Sequence, residues 1–507
     1  MRENLSLGEQ RIVLFSVFVL SLCGIIYELV LGSLATYLLG NPVQQYSITI
    51  GFFLSSMGLG SYLSRFIMKD ILKNFIRIEA ALGLTGGISV LVLSWLFSFS
   101  ASFYFLHVFF LVMIGMLVGL EIPLITRVLK KYGALKDILS NVLSLDYIGG
   151  LAGSLLFPLV LFPIIGRLLT SIVVGMLNIA VAMFLIFKID YQGRRISDAA
   201  MPAVSILFLL GIAFFFDPIT NILQKKLYYD DIVYSKRSKY QEIVLTRNSD
   251  DFRLYLDGAL QFSSVDEYRY HEMLVFPALA LARRGSRDVL ILGGGDGLAA
   301  RETLKDPSVE RITLVELDRE IIRLARNNPS LKKINNDSLG DKKVEVVIGD
   351  AYEYLMKRKR KYDVIIADFP DPHDETISKL YTVEFFGLVK NSLNIDGVFV
   401  TQSTSPLSAR EAFWCIHHTM KRIFSEVVPY HVHVPSFGDW GFNIGMFGVF
   451  NPENIAGVQG LNFFSRETFS GALIFSADIK KIDTKINSYN KPVLYNYYVK
   501  GWKYSTE

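Results

Sequence analysis

The chain has 507 residues, 51% of them hydrophobic and 20% charged, with a mean hydropathy of +0.35. That excludes a disordered chain and argues against an all-soluble protein, whose surface needs more charge. With 52 basic and 48 acidic residues, the net charge of +4 gives no electrostatic case for nucleic acid as a partner. The two cysteines, Cys23 and Cys415, exclude a disulfide framework and a thiolate metal cluster.

Only 14 of the basic and 11 of the acidic residues lie in 1–217, which leaves 38 and 37 for 218–507. The first part reads as a multi-pass α-helical membrane domain and the second as a soluble domain. A bilayer core takes about 20 apolar residues per helix. Seven candidate spans follow, at roughly 11–39, 47–67, 76–98, 101–126, 142–165, 168–189 and 199–217. The first run is too long for the apolar region of a signal peptide and is followed by more like it, so no cleavable leader is needed. Basic residues fall in alternate connections: Arg65, Lys69, Lys73 and Arg77, then Arg127, Lys130, Lys131 and Lys136, then Lys188, Arg194 and Arg195. The positive-inside rule makes those connections and the N-terminus cytoplasmic. Glu28, Glu121 and Asp146 interrupt the apolar runs. They read either as an interior site for a cationic amine or, for the last two, as interface residues pairing with Arg127 or Lys131. Gly58-Leu59-Gly60-Ser61 and Gly149-Gly150-Leu151-Ala152-Gly153-Ser154 are small-residue faces that predict close helix packing.

From 228 the pattern changes. Strands are predicted at 232–234, 240–246 and 253–257, separated by the turn residues Asn248-Ser249-Asp250-Asp251. A helix is predicted from Asp266-Glu267 through His271 to about Arg283. Strand and helix then alternate, with strands at 288–292, 311–316, 344–348, 362–367 and 397–402 and helices at 298–305 and 351–358. This is the βαβ pattern of a doubly wound, Rossmann-like sheet, which binds ligands beyond the C-terminal ends of its strands. The domains are therefore 1–217 (membrane), 218–274 (a small β domain) and 275–507 (the Rossmann-like catalytic domain). Asp296, Glu316, Asp350 and Asp368 all follow strand ends and converge on one crevice.

The turn Gly293-Gly294-Gly295-Asp296-Gly297 alone is a weak signal, since any tight strand-to-helix turn can look like it. Glu316, about 20 residues further on, stands where nucleoside-binding folds place an acid on the ribose hydroxyls; a helix cap or solvated strand end is the bland alternative. Asp350 reads as a contact to an adenine amine or as the N-cap of the helix that follows. Asp368 and Asp371 lie in Ala367-Asp368-Phe369-Pro370-Asp371-Pro372, in a crevice or a solvated loop. Asp296 discriminates among ligands. Inside the glycine turn, an acid repels a dinucleotide pyrophosphate and the carboxylate of an ordinary methyl donor. It attracts a donor that carries only an ammonium and a sulfonium.

The soluble part resembles the spermidine synthase (polyamine aminopropyltransferase) family over about 232–450, and the whole chain resembles its membrane-anchored bacterial branch. The resemblance rests on Ser238-Lys239-Tyr240-Gln241-Glu242-Ile243, Leu256-Asp257-Gly258-Ala259-Leu260-Gln261, Glu267-Tyr268-Arg269-Tyr270-His271-Glu272-Met273, the glycine turn, Val315-Glu316-Leu317-Asp318, Gly349-Asp350-Ala351 and 368–372, in family order. It implies that Gln241, Glu316, Asp350 and Ala351 hold decarboxylated S-adenosylmethionine, a substrate rather than a cofactor, with Asp296 at its aminopropyl end. It implies an amine pocket of Tyr270, His271, Asp296, Asp368 and Asp371, with Asp368 the catalytic acid, and no metal. Without it, His271 reads as an ordinary helix-face histidine and Tyr270 as core. The implied reaction makes spermidine from putrescine or another diamine, in a homodimer or tetramer anchored in the lipid bilayer. Two departures stand out: His373-Asp374-Glu375-Thr376 replaces a Gly-Pro-rich gate, and Phe437 stands near the usual amine-site aromatic. A cytoplasmic catalytic domain further implies that 199–217 does not cross completely, or that an eighth crossing exists. The competing readings are a polyamine transporter or sensor with a fused aminopropyltransferase-like domain, and a methyltransferase-fold enzyme with another amine substrate.

Overall fold

The computed structural model describes residues 5–40, 42–97, 103–189, 196–216, 228, 230–282, 285–357, 359–455 and 460–505. Arg194, Arg195, Arg283 and the predicted boundary after 217 lie outside the described residues. The chain divides into two compact units, Met1–Tyr229 and Asp230–Glu507.

The first unit is helical: α1 (Leu7–Leu39), α2 (Pro42–Leu63), α3 (Ile71–Phe97), α4 (Phe103–Leu129), α5 (Leu135–Leu156), α6 (Phe162–Lys188) and α7 (Ala200–Phe214). Ser6 and Glu9 close a capping box that starts α1. Among the described residues, four helical stretches are long and apolar enough to cross a membrane: Leu7–Leu39, Ile71–Phe97, Phe103–Tyr132 and Leu135–Lys188. The last, 54 residues long, merges two of the predicted spans through a π-helical turn, Phe157–Leu161, and a kink at Gly166. Helix α2 forms but falls short of the same apolar standard. Helix α7 has 15 residues, about 22 Å at 1.5 Å per residue, too short for a core of about 30 Å.

Both small-residue faces act as packing surfaces. A Cβ on Gly60 would lie 2.0 Å from the Met116 carbonyl oxygen, and one on Gly149 would lie 2.3 Å from that of Phe18, so α2 meets α4 and α5 meets α1 backbone to backbone. Glu28 and Glu121 are buried, and Asp146 is partly so. The predicted pairing of Glu121 with Arg127 does not form. Arg127 donates to the carbonyls of Ser64, Ile67 and Pro123 instead. The sequence reading missed a further buried acid: Glu79 accepts from Asn178 Nδ2 at 3.0 Å.

Among its described residues the second unit has two sheets. Strands β1 (Asp231–Arg237), β2 (Glu242–Asn248), β3 (Asp251–Leu256) and β4 (Ala259–Ser263) form an antiparallel meander. The larger sheet holds β5 (Arg287–Gly293), β6 (Val309–Glu316), β7 (Val344–Ile348), β8 (Tyr362–Asp368), β9 (Leu393–Gln402), β10 (Glu426–Val434) and β11 (Gly438–Met446). Their order is β10-β11-β9-β8-β5-β6-β7, with β5 to β9 parallel and β10 and β11 antiparallel. The sheet is therefore mixed; β4, β10 and β11 were not foreseen. The meander is not closed on itself. Ile243, Leu245, Leu254 and Phe262 share one core with the helix Glu267–Leu281 and with Val289, Ile291 and Ile366 of the large sheet. The central strands are buried on both faces, as crossover helices require.

Candidate functional site

The centre of the site is the turn leaving β5. Gly293, Gly294 and Gly297 have φ of +82°, +65° and +86°, conformations open to glycine at little cost. Gly293 pairs with Asp368 of β8, and a Cβ there would stand 2.2 Å from the Asp368 carbonyl oxygen. A Cβ on Gly295 would stand 2.7 Å from Glu316 Cγ and Oε2. The turn therefore lies against the ends of both neighbouring strands and brings Asp296, Glu316 and Asp368 together. Asp296 Oδ1 accepts from the Leu298 N–H at 2.8 Å, at the start of the following helix, so the acid occupies the position where a phosphate would bind.

On one side, Asp368 Oδ1 accepts from the Tyr270 hydroxyl at 2.7 Å. Beside Tyr270 is His271, 4.9 Å between ring centroids. His271 Nδ1 lies 2.8 Å from Glu267 Oε2, and Arg301 holds the same carboxylate at 2.8 Å. Burial alone would lower the His271 pKa, but Glu267, with Asp368 and Asp296 beyond it, raises it to about 9. Burial acts against ionisation of Glu267 as well, yet His271 and Arg301 bring it down to about 2. His271 is thus an imidazolium at neutral pH, fixed in place rather than a solvated helix-face residue.

Enclosure of the acids works in the opposite direction. Burial, reinforced by Asp368, raises Asp296 to about 6 against the pull of His271. Burial raises Glu316 to about 7 although Oε1 accepts from Asp318 N–H at 2.9 Å. Burial also raises Asp368, and it raises Asp371 to about 6. Several crowded carboxyls that resist ionisation form a site poised for a cation, which would restore their charge.

Gln241, expected to hold the donor, stands just before β2 and is half-buried. Its Nε2 donates to Asp318 Oδ2 at 3.1 Å, and Ser238 Oγ donates to the same oxygen at 2.5 Å. Asp318, quoted only as part of a motif, is thus the post that ties the start of β2 to the large sheet and caps the helix Arg319–Asn327. Asp350 does cap its helix, accepting from the N–H groups of Tyr352 and Glu353, and it also meets Lys379 Nζ at 3.0 Å. Burial would raise its pKa, but Lys379 and the helix N–H groups bring it below the usual carboxylate range. Ala351 is buried at that helix start.

Asp371 accepts from Gln402 Nε2 at 3.3 Å and from Thr404 Oγ1 at 3.2 Å. Neither partner was anticipated. Thr404 has φ of +58°, rare for a β-branched residue, and is held there by Gln402 Oε1 and the Gly441 N–H. Phe437 lies edge-on to Tyr270 at 6.2 Å. Ser436 fixes its hairpin by bonding twice to Asp266, at the start of the Tyr270 helix. The segment at the gate position forms a short helix, Glu375–Ser378, capped by Asp374.

Comparison with known proteins identifies relatives of the chain. Residues 267–453 match the family described as spermine/spermidine synthase domain. The polyamine aminopropyltransferase of Leptospira interrogans is 42% identical over 497 residues, 97% of this chain and 99% of its own. Polyamine aminopropyltransferase 2 of Ralstonia nicotianae is 40% identical over 506 residues, 98% of each chain. A solved spermidine synthase in complex with the transition state analogue AdoDATO aligns with 48% of this chain and 86% of its own, at 30% identity and a TM-score of 0.46. The full-length relatives carry the transferase name across both units, which does not favour the transporter or sensor reading.

Proposed function

Since the chain belongs to the spermidine synthase family and is a polyamine aminopropyltransferase, we propose that it makes spermidine and 5′-methylthioadenosine from putrescine and decarboxylated S-adenosylmethionine, which is a substrate; the family requires no cofactor. The observation that carries the reading is the gathering of Asp296, Glu316 and Asp368 around one glycine turn, with Asp371 on the loop that leaves β8, each with its pKa pushed up by burial. Such a crevice suits a donor and an acceptor that are both cationic.

In this reading Glu316 accepts from the ribose hydroxyls, Asp350 and Ala351 meet the adenine, and Gln241 supports that end through Asp318. Asp296 faces the aminopropyl end of the donor. Asp368, steadied through Oδ1 by Tyr270, orients the acceptor amine and takes its proton, directly or through water. The freed nitrogen lone pair forms a bond to the methylene attached to the sulfonium. The carbon–sulfur bond breaks, and its electron pair stays on sulfur as the neutral thioether of methylthioadenosine. Holding the two substrates in line supplies much of the remaining acceleration. Asp371 and His271 line the amine pocket; Asp371 binds the far ammonium, and His271 keeps the neighbouring carboxylates charged.

We further assign the helical unit to the cell membrane, with the catalytic unit on the cytoplasmic side. The basic connections support that orientation, and the short helix Ala200–Phe214 supports an even number of crossings. A product assay over several diamines tests the function: spermidine from putrescine as the main product supports it, and a clear preference for a longer amine refutes the acceptor. A C-terminal reporter fusion that reads periplasmic would refute the topology.

A further inference from the structure

The connection between α2 and α3 sets basic beside apolar residues: Arg65, Phe66, Ile67, Met68 and Lys69 in sequence. It is tied to the bundle at several points. Its first residues form a 3-10 turn, Ser64–Phe66, and Arg127 of α4 donates to the Ser64 and Ile67 carbonyls at 2.6 and 3.1 Å. Asn74, in the first turn of α3, donates from Nδ2 to the Lys69 carbonyl at 3.0 Å. Between this connection and the bundle lies a cavity of about 750 Å³, a usual size for a ligand site. Phe66 and Met68 both line it, and both are exposed.

The cavity is polar at one end and apolar at the other. Lys69 and Arg77 line it near the start of α3, and Ile78 and Ala81 carry its wall further along that helix. Asn74, Arg77, Ile78 and Ala81 share one helix face, being three, four and seven residues apart. Ala81 stands ten residues into α3, about 15 Å from its start. Ile76 of α3 shares a core with Leu124 and Ile125 of α4, so the start of one helix stands beside the end of the other. Leu117, twelve residues before α4 ends at Leu129, therefore lies at a matching depth of about 18 Å and faces the same cavity. Met201 of α7 supplies a further side.

The charge at the polar end is positive. Lys73 takes Asp198 at 2.9 Å, whereas Arg77 reaches the same oxygen only at 3.8 Å, with more than half of its side chain exposed. Asp70, the other nearby acid, is exposed next to Lys69. Arg65 stacks over the Phe66 ring at 4.7 Å, at the rim. Lys69 makes no ion pair among the described residues. Four cations thus stand against two acids, and the two that line the cavity are not tightly paired.

We infer that this cavity binds one anionic phospholipid of the cytoplasmic leaflet, with its phosphate between Lys69 and Arg77 and an acyl chain against Ile78, Ala81, Leu117 and Met201. A free phosphate fits the polar end and leaves the apolar end unfilled. A zwitterionic lipid fills the apolar end and offers the cations no net charge. An anionic amphiphile matches both ends, in the order in which a bilayer presents headgroup and hydrocarbon. Bound there, the lipid joins α7 to α3, α4 and the connection 64–70. The inference rests on the assignment of the helical unit to the membrane, with its basic connections cytoplasmic.

The test uses the full chain, stripped of lipid in detergent and titrated with phosphatidylglycerol or with phosphatidylcholine of the same acyl chains. Native mass spectrometry counts the lipids retained, and Tm is followed in parallel. The wild type should retain one phosphatidylglycerol in preference to phosphatidylcholine, with a rise in Tm. A cation near an anionic headgroup contributes about fivefold in affinity, so Lys69→Gln with Arg77→Gln should weaken retention about 25-fold. Ala81→Leu, which fills part of the apolar end and keeps both cations, should weaken it severalfold. Lys130→Gln with Lys131→Gln removes equal charge from another cytoplasmic connection and should leave retention within about twofold.

Equal retention of the two lipids by the wild type would overturn the site. So would full retention of phosphatidylglycerol by the Lys69→Gln, Arg77→Gln protein, or an equal loss in the Lys130→Gln, Lys131→Gln protein, which would show a general attraction between charged surfaces. Wild-type retention in Ala81→Leu would overturn the place given to the acyl chain. Inorganic phosphate that raised Tm as much as the lipid would reduce the cavity to an anion site and overturn the lipid. A wild-type chain released from isolated membranes by an alkaline wash would instead refute the membrane assignment itself.

Discussion

The two ends of the crevice are built differently. At the end assigned to the donor, each acid is anchored first by the backbone next to it: Glu316 by the Asp318 N–H and Asp350 by the Tyr352 N–H, both two residues away, with Lys379 the one remote side chain, on Asp350. At the end assigned to the acceptor, the acids are held by side chains from afar. Tyr270 reaches Asp368 across 98 residues, and Gln402 and Thr404 reach Asp371 across 31 and 33. A strand-turn-helix unit places a carboxylate by local geometry alone. A carboxylate held by remote side chains depends on the whole fold, so its aim can be tuned by residues far from the chemistry. Donor binding should therefore tolerate distant changes that acceptor binding does not.

The strongest way to break this comparison is Asp368→Asn. The change keeps the shape and removes the charge, so the general-base contribution to turnover, about 10²–10⁴-fold, should be lost. Donor binding should survive, because Glu316 and Asp350 are held independently. Raising the pH should restore part of the rate, since more acceptor amine is then neutral. Steady-state turnover alongside a nucleoside-binding titration checks both halves, and wild-type turnover in a folded Asp368→Asn protein would sink the proposed mechanism.

Glu316→Gln should act on the other end alone. A contact to the ribose hydroxyls that loses its charge weakens donor binding by about 1.5–3 kcal/mol, roughly 10- to 150-fold in KM. KM for the diamine should barely move. If both constants rose together, the two ends would not be separable, and an unchanged donor KM would remove Glu316 from the site.

This division also explains what could be read from the sequence. The strand ends, the glycine turn and the acids that follow them are local patterns, and β5 to β9 arose where apolar runs and turns indicated. Strands β10 and β11 were missed because an antiparallel hairpin closing a parallel sheet breaks the βαβ rhythm. Gln402 and Thr404 carried no motif; only the end of β9, a strand in the same sheet as Asp368, pointed to them. Asp318 offered a fairer signal, a carboxylate two residues after Glu316 at a helix start. In the helical unit, Glu79 was overlooked because its neighbours Arg77 and Ile78 made it look like a span end, whereas the fold buries it beside Asn178.

The smallest of these effects, the pH dependence of diamine affinity, follows from the raised pKa values. Burial holds Asp296 and Asp371 at about 6. A carboxyl of pKa 6 is about one-quarter ionised at pH 5.5 and nearly fully ionised at pH 7.5, so each group that must be charged to hold an ammonium contributes about a fourfold change. The sign is fixed: the pKa values are raised, the anion binds the cation, and affinity is lost as pH falls through 6. Putrescine, doubly charged throughout this range, contributes no titration of its own. Its affinity for the full chain should therefore tighten between pH 5.5 and 7.5 by about fourfold for one such group and about sixteenfold for two. Asp371→Asn should remove one factor of four and leave the other to Asp296. A titration by calorimetry at the two pH values measures this directly. Flat affinity in the wild type would mean that these acids do not face the amine.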